Sequence, residues 1–393
     1  MPATGALRRL PALLIATALA LLVAGCSGDN SPSPTPAPTV DHSLLHGREA
    51  VVGVVLSLTG SNAIYGEPQR KGIALAMDEI NQGLAGYPHF ILDIRDDEGD
   101  PQKAKAIYEE MVARERLLAI VGPTLSASAV VADPVAQAAG VPVLAVSNTA
   151  TGVVEIGDYV FRNSLSEAQV IPQTVAVAKS KLGLQRVAII YGDGETFTLS
   201  GYHAFKDALA ANGISIAAEQ SYAPGRTDFA DLLREIGASH PDAIVASSLA
   251  RDASVILQQA RALGITAPFI GGNGFNSPSV LSAAGEAADG LMVGAAWNVE
   301  APSDLSRKFV EAYRTRYGQD PDQFAAQAYA GLYILGKAIS RIGPEEGRSE
   351  LRETLQGVSL ETVLGDFRFA PSRDAQHPAV VQIVRGGRFV PYQ

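Results

Sequence analysis

The stretch LLAIVGPTLSASAVVADPVAQAAGVPVLAVSNTAT, residues 117–151, decides the fold. Its apolar spacing and its turn residues predict a strand over 117–121, a helix over about 126–139 and a second strand over 141–145. A polar loop, residues 147–151, follows. Such a unit makes two neighbouring parallel strands joined by a right-handed crossover. Both loops therefore lie at the carboxyl edge of a sheet, where open α/β sheets bind ligands.

Two serines, Ser126 and Ser128, stand at the beginning of this predicted helix. Unpaired backbone N–H groups and the positive end of the helix dipole can hold a carboxylate there without a lysine. Ser126 also fits a simple N-cap. The hydroxyl-rich loop one strand away favours the ligand-binding alternative.

The flanking sequence repeats the same alternation of strand and helix. Upstream, the run Val51 to Leu56 predicts a buried strand, residues 67–81 a helix, residues 89–94 a strand, and Asp100-Pro101 a helix start. Downstream, a second strand–helix series runs from RVAIIY at residue 186 to about residue 270. Helices over 305–317 and 322–342 and short terminal strands follow. Two such series predict an α/β protein with two Rossmann-like lobes, each a parallel sheet flanked by helices.

The first 47 residues are typical of a signal peptide followed by a tether. Residues 1–25 have a basic start and an apolar run that is too short to cross a membrane, which predicts a signal peptide. LVAGC, ending at Cys26, resembles a bacterial lipobox, and Cys26 is the only cysteine of the sequence. The alternative is an ordinary signal peptide with an incidental cysteine. Residues 26–47 are rich in Pro, Ser and Thr and predict an extended spacer.

The net charge and the catalytic motifs that the sequence lacks argue against several classes of function. Removing residues 1–25 takes away two arginines and no acid, which leaves 29 basic and 41 acidic side chains, a net charge of −12. This balance argues against nucleic acid as a partner. The sequence contains no H-E-x-x-H zinc helix, no G-x-S-x-G elbow and no Walker A loop. The acids at 96–98 fit a solvated loop better than a metal site. We therefore predict no cofactor, no metal and no enzymatic activity.

Several segments in order resemble a known family over residues 51–388: VGVVLSLTGSNAIYG, IRDDEGDPQKA, AIVGPTLSASA, GVPVLAVSNTAT and IGGNGFNSP. The sequence is similar to type I periplasmic solute-binding proteins of the leucine/isoleucine/valine-binding branch, which serve ABC importers. The resemblance implies two lobes joined by three crossovers, near residues 161–164, 295–298 and 364–367, that close on a ligand in the cleft between them. It implies a first lobe of residues 48–162 and 298–365, and a second of residues 163–297 and 366–393.

The resemblance also implies binding residues. Ser126 matches the serine that donates to the ligand carboxylate, and Ala150 and Thr151 match a carbonyl and a threonine that bind the amino and carboxylate groups. Tyr65 matches an aromatic residue beside the ligand. In the second lobe, Phe197 stands where many relatives have tyrosine.

Two positions depart from the family pattern. Leu249 replaces a tyrosine of the leucine/isoleucine/valine binders, and Asn273 stands where many amino-acid binders have an acid that faces the ligand ammonium. An amide oxygen accepts that hydrogen bond without neutralising the charge. Asp193 or Glu195 could supply the carboxylate instead; both also fit a solvated loop.

These observations predict a lipid-anchored receptor outside the cytoplasmic membrane that presents a small polar metabolite to a membrane permease. An amino acid is the first hypothesis for the ligand, and urea or a short amide is the second. A sensory lipoprotein that signals to a membrane partner through the same clamshell is the alternative from another class.

Overall fold

The computed structural model describes residues 49–343 and 347–392. The predicted signal peptide, the predicted lipidation site at Cys26 and the predicted tether lie outside the described residues. These three features therefore stay predictions from the sequence.

The first lobe is built on a five-stranded parallel sheet. Its strands are Glu49–Leu56 (β1), His89–Asp96 (β2), Leu117–Val121 (β3), Val143–Ala145 (β4) and Val160–Arg162 (β5), in the order β2-β1-β3-β4-β5. The helices between them are Ala63–Asn81 (α1), Pro101–Val112 (α2) and Ser126–Ala138 (α3). The predicted strand–helix–strand unit is confirmed, with β4 two residues shorter at its start than predicted.

Helix α1 begins at Ala63, four residues before the predicted start at 67, so Tyr65 lies on a helix and not in a loop. Gly66 does not interrupt the helix. A Cβ atom on Gly66 would lie 2.0 Å from the Ser57 carbonyl oxygen, so the glycine allows the helix to pack closely on the end of β1. The predicted start of α2 is confirmed, because the Asp100 carboxylate accepts the N–H groups of Gln102 and Lys103.

The second lobe is built on a seven-stranded mixed sheet. Its strands are Arg186–Gly192 (β6), Ser215–Tyr222 (β7), Ala243–Ser247 (β8), Phe269–Gly271 (β9), Met292–Ala295 (β10), Val380–Arg385 (β14) and Arg388–Pro391 (β15), in the order β15-β14-β10-β9-β8-β6-β7. Its helices are Glu167–Leu182 (α4), Thr196–Ala211 (α5), Ala230–Ala238 (α6), Ala250–Ala262 (α7) and Pro278–Ala284 (α8).

Helices α4 and α8 are absent from the sequence prediction. A capping box between Ser166 and Gln169 marks the beginning of α4.

The remaining elements return to the first lobe. They are Asp304–Tyr317 (α9), Gln323–Ile339 (α10), Arg348–Gln356 (α11) and a small sheet of Ser359–Thr362 (β11), Gly365–Phe369 (β12) and Ala375–Gln376 (β13). Helix α10 packs along α1. The chain thus passes from the first sheet to the second after β5, returns after β10, and passes again between β13 and β14. The exact lobe boundaries stay a prediction.

Candidate ligand-binding cleft

A small cavity lies between the two sheets, at the carboxyl ends of their parallel strands. Its volume is about 30 Å³, which has room for a water molecule or two and not for an amino acid. Both lobes contribute to it, so the lobes must part before a ligand can enter. Its lining consists of Tyr65, Thr124, Leu125, Ser126, Ser147, Thr149, Phe197, Leu249, Asn273, Gly274 and Phe324.

The structure brings together five of the seven residues that the sequence assigns to the ligand. Tyr65, Ser126, Phe197, Leu249 and Asn273 line the cavity, while Ala150 and Thr151 do not. A larger cavity of about 630 Å³ lies beside residues 296–303 and 378–381 and is lined by none of the seven.

The first-lobe wall is held together by hydroxyl groups. The Thr124 hydroxyl accepts the Ser57 N–H at 3.0 Å and donates to Gln69 Oε1 at 2.7 Å. The Ser147 hydroxyl donates to the Thr124 carbonyl at 2.6 Å, which ties the loop after β4 to the loop after β3. These bonds fix the two loops that the sequence placed at one sheet edge.

Ser126 is the first residue of α3 and is 4 % exposed. The N-cap is Leu125, and no side chain caps this helix end. The simple N-cap alternative for Ser126 is therefore wrong. Its Oγ accepts the Ala150 N–H at 3.3 Å and keeps a hydrogen to donate into the cavity.

Ala150 is fully buried, and its carbonyl oxygen accepts a hydrogen bond from Arg162 Nη1 at 2.6 Å. Arg162 is in turn paired with Asp374, with 2.5 Å between Nε and Oδ1. Thr151 is exposed, and its N–H donates to Ser200 Oγ on α5 at 2.9 Å. Thr149, in the same polar loop, lines the cavity instead. The sequence predicts the loop but not this residue, because the loop conformation decides which hydroxyl turns inward.

Tyr65 bridges the two lobes. Its hydroxyl donates to the Gly274 carbonyl at 3.0 Å and accepts the Ala250 N–H, at the beginning of α7, at 2.7 Å. Burial raises the pKa of the Tyr65 phenol well above its ordinary value. A Cβ atom on Gly274 would lie 2.1 Å from the Ser248 carbonyl, so a glycine is required for this close approach. Phe324, absent from the sequence prediction, packs on Tyr65 with 4.9 Å between ring centroids.

Asn273 is held from three sides. Its Oδ1 accepts from Gln323 Nε2 at 2.5 Å and from Asn276 Nδ2 at 3.2 Å, and its backbone N–H donates to Glu167 Oε1 at 2.9 Å. Glu167 is 2 % exposed. Burial raises the pKa of Glu167 to about 7, against the opposing effect of the hydrogen bond from the Asn273 N–H. Glu167 begins the helix that the sequence analysis missed, which is why it did not become a candidate.

Asp193 and Glu195, the two carboxylates that could pair with a ligand ammonium in place of Asn273, do not line the cavity. Asp193 is exposed on the loop after β6. Glu195 caps α5, with its Oε2 accepting the Thr198 N–H at 2.8 Å. Its Oε1 is buried and has no hydrogen-bond partner among the described residues, and burial raises the pKa of this carboxyl. Which carboxylate, if either, pairs a ligand ammonium stays a prediction.

The described residues also bear on metal binding and on membrane insertion. No group of three or more His, Cys, Asp or Glu side chains in them could hold a metal ion. Within residues 49–343 and 347–392, no helix is both long and apolar enough to span a bilayer.

Comparison with known proteins places the chain. The sequence profile of the periplasmic binding protein family matches residues 49–388. The chain belongs to the periplasmic binding protein family. It is an extracytoplasmic solute-binding protein, and its type I fold with two α/β lobes is the one that the sequence predicts.

Among its relatives, this binding protein is 24% identical over 330 residues to the Leu/Ile/Val-binding protein BraC3 of Rhizobium johnstonii, covering 83% of this chain and 89% of that one. The isoleucine complex of the branched-chain amino acid transporter protein LivJ from Streptococcus pneumoniae superposes with a TM-score of 0.80 at 25% identity, over 88% of this chain and 100% of that one. A substrate-binding protein from Desulfitobacterium hafniense in complex with Leu superposes with a TM-score of 0.75 at 26% identity, over 88% and 100% of the two chains.

Proposed function

We propose that this binding protein captures a small carboxylate-bearing metabolite and delivers it to the permease of an ABC importer. One observation carries the proposal. The cavity between the lobes has the Ser126 hydroxyl and the uncapped beginning of α3 on one side and Asn273 on the other. The α3 end suits a carboxylate, because its free N–H groups and dipole stabilise an anion there.

The relatives with bound leucine and isoleucine make an amino acid the first candidate for the ligand. The cavity walls agree with a ligand that has an apolar body. Leu125, Phe197, Leu249 and Phe324 surround the polar groups, so an aliphatic or aromatic side chain would be buried on closure. The protein acts by binding and closure and has no catalytic role in this proposal.

The proposal includes the membrane anchor. We assign Cys26 as the acylated residue after removal of residues 1–25, with residues 26–47 as the tether that keeps the lobes within reach of the permease. The sequence pattern supports this assignment.

The direct test is mass spectrometry of small molecules that co-purify with residues 27–393, followed by calorimetry with the molecule found. A saturable, one-to-one carboxylic acid supports the proposal. A ligand without a carboxylate, such as urea, overturns it in favour of the short-amide alternative. Chemical turnover of the ligand would overturn the purely binding role.

A further inference from the structure

The orientation of the Asn273 side chain is fixed by two chains of hydrogen-bonded amides. In the short chain, the Ala296 N–H donates to Gln323 Oε1 at 3.0 Å, and Gln323 Nε2 donates to Asn273 Oδ1 at 2.5 Å. A backbone N–H can only donate, so the Gln323 oxygen must face Ala296 and its NH₂ group must face Asn273. Asn273 therefore turns its oxygen towards Gln323.

The long chain reaches the same atom from the other side. The Glu300 N–H donates to Asn298 Oδ1 at 2.8 Å, and Asn298 Nδ2 donates to Gln382 Oε1 at 2.7 Å. Gln382 Nε2 then donates to Asn276 Oδ1 at 2.8 Å. Asn276 Nδ2 donates to the Gly294 carbonyl at 2.8 Å and to Asn273 Oδ1 at 3.2 Å. This chain begins at a backbone donor and reaches a backbone acceptor, so its direction is also fixed.

These two chains decide which atom of the Asn273 amide can bind a ligand in the cleft. The four amides that lead to Asn273 are between 2 % and 5 % exposed, so reversing either chain would bury donors against donors. With Oδ1 held by Gln323 and Asn276, Asn273 has only its NH₂ group left to offer the cavity. The hydrogen bonds between the Asn273 side chain and the described residues use Oδ1.

The second acceptor that an ammonium would use is also engaged. The Ala150 carbonyl accepts from the buried guanidinium of Arg162, and Ala150 does not line the cavity. No carboxylate lines the cavity among the residues that the structure describes. Glu167 lies behind the Asn273 wall, with its carboxylate directed at the Asn273 backbone N–H.

Resting on the proposed function, we infer that the ligand carries an oxygen acceptor beside its carboxylate, in the place where an amino acid carries its ammonium. The substrate class is a small 2-oxo or 2-hydroxy carboxylic acid with an apolar side chain. Its carboxylate binds at the beginning of α3, its neighbouring oxygen accepts from Asn273 Nδ2, and its side chain lies among Phe197, Leu249 and Phe324.

Matched pairs of acids that share one carbon skeleton test this inference. Leucine with 4-methyl-2-oxopentanoate, valine with 3-methyl-2-oxobutanoate, and phenylalanine with phenylpyruvate differ only in the ammonium or the oxo group. Calorimetry on residues 27–393 should show the oxo acid of at least one pair binding about tenfold or more tightly than its amino acid, the effect of one well-placed hydrogen bond and a desolvated ammonium. A preference for the amino acid in any pair overturns the inference and leaves the proposed function standing.

Asn273→Asp isolates the group that faces the cleft. The aspartate keeps an oxygen for Gln323 and Asn276 and replaces only the NH₂ group, so the amide chains stay intact. The preference within the pair should reverse towards the amino acid, while Gln102→Glu, which adds the same charge at an exposed position of α2, should leave it unchanged. An unchanged preference in Asn273→Asp overturns the inference. If none of the six acids binds the wild type, the inference fails, and the co-purified ligand shows whether the proposed function fails with it.

Discussion

The Tyr65 hydroxyl donates a hydrogen bond to the Gly274 carbonyl oxygen at 3.0 Å and so joins a helix of the first lobe to a loop of the second. The same hydroxyl accepts the Ala250 N–H at 2.7 Å. Both bonds cross the cleft, and the cavity behind them is too small for a ligand. Tyr65 thus stabilises the closed arrangement of the two lobes, and opening of the cleft breaks both bonds.

Tyr65→Phe should shift the empty protein towards the open form. Two hydrogen bonds across the cleft are lost, each worth about 0.5–1.5 kcal/mol net. Small-angle scattering without ligand should give a larger radius of gyration than the wild type, and a saturating ligand should restore the compact value. Tyr317→Phe is the control, because the Tyr317 hydroxyl donates to the Lys71 carbonyl within the first lobe. An equal change in both variants, or none in Tyr65→Phe, would contradict the bridging role.

Ser126→Ala should weaken ligand binding while the fold stays intact. The serine lies at the sheet rim and its hydroxyl keeps a hydrogen for the ligand, so the lost bond should cost about 1–3 kcal/mol, or about five- to 150-fold in affinity. Ser128→Ala, two residues along α3, is the matched control, since Ser128 is fully buried and does not line the cavity. Calorimetry that finds equal affinities for Ser126→Ala and the wild type would remove Ser126 from the site.

One pair of variants decides whether Thr149 or Thr151 binds the ligand. Thr149 lines the cavity, whereas Thr151 is exposed and bonds to Ser200 through its backbone. Thr149→Val should lower affinity by about fivefold or more, the cost of one hydrogen bond, and Thr151→Val should stay near the wild-type value. The opposite result would restore Thr151 as the ligand residue that the family resemblance implies.

The sequence predicts local structure well, and it places part of the candidate site at one sheet edge, for physical reasons. The strand Leu117–Val121 and the helix Ser126–Ala138 follow from apolar spacing and turn residues within the segment itself. A parallel sheet brings the loops after successive strands to one edge, so Ser126 and the polar loop after β4 could be placed together without coordinates. Tyr65, Phe197, Leu249 and Asn273, which also line the cavity, were assigned from the family resemblance and not from sheet geometry.

Contacts between distant segments could not be predicted. The direction of the Asn273 amide depends on Gln323, 50 residues later, and through Asn276 on Gln382, which lies 106 residues beyond Asn276. Residue identity alone leaves an asparagine free to offer either its oxygen or its NH₂ group. Glu167 is a different case. Its helix has a local signal in the sequence, the Ser166–Gln169 capping box, so this helix was predictable without coordinates.

Cys26→Ser should release the protein from the membrane. Acylation needs the cysteine thiol, and Cys26 is the only cysteine in the sequence, so no other residue can replace it. Membrane fractionation and metabolic labelling with a fatty acid should show an unlabelled chain that is unprocessed or released, while Ser27→Ala behaves as the wild type. A labelled, membrane-bound Cys26→Ser protein would disprove the lipid anchor.

Glu167 should make the protein less stable as the pH rises through the weakly acidic range. Its pKa is raised from 4.5 to about 7 by burial, so the folded state binds more protons than the unfolded state between these values. The free energy of unfolding then falls with increasing pH from about 4.5 to about 7 and is no longer affected by this group above about 7.

Glu167→Gln keeps an oxygen for the Asn273 N–H and removes the titration. Urea unfolding at a series of pH values should therefore show a shallower fall for Glu167→Gln than for the wild type over this range. The exposed Glu109→Gln serves as the control and should follow the wild-type curve. Parallel curves for wild type and Glu167→Gln would mean that Glu167 titrates as an ordinary carboxyl group, and that its burial between Thr149 and Asn273 carries no electrostatic cost.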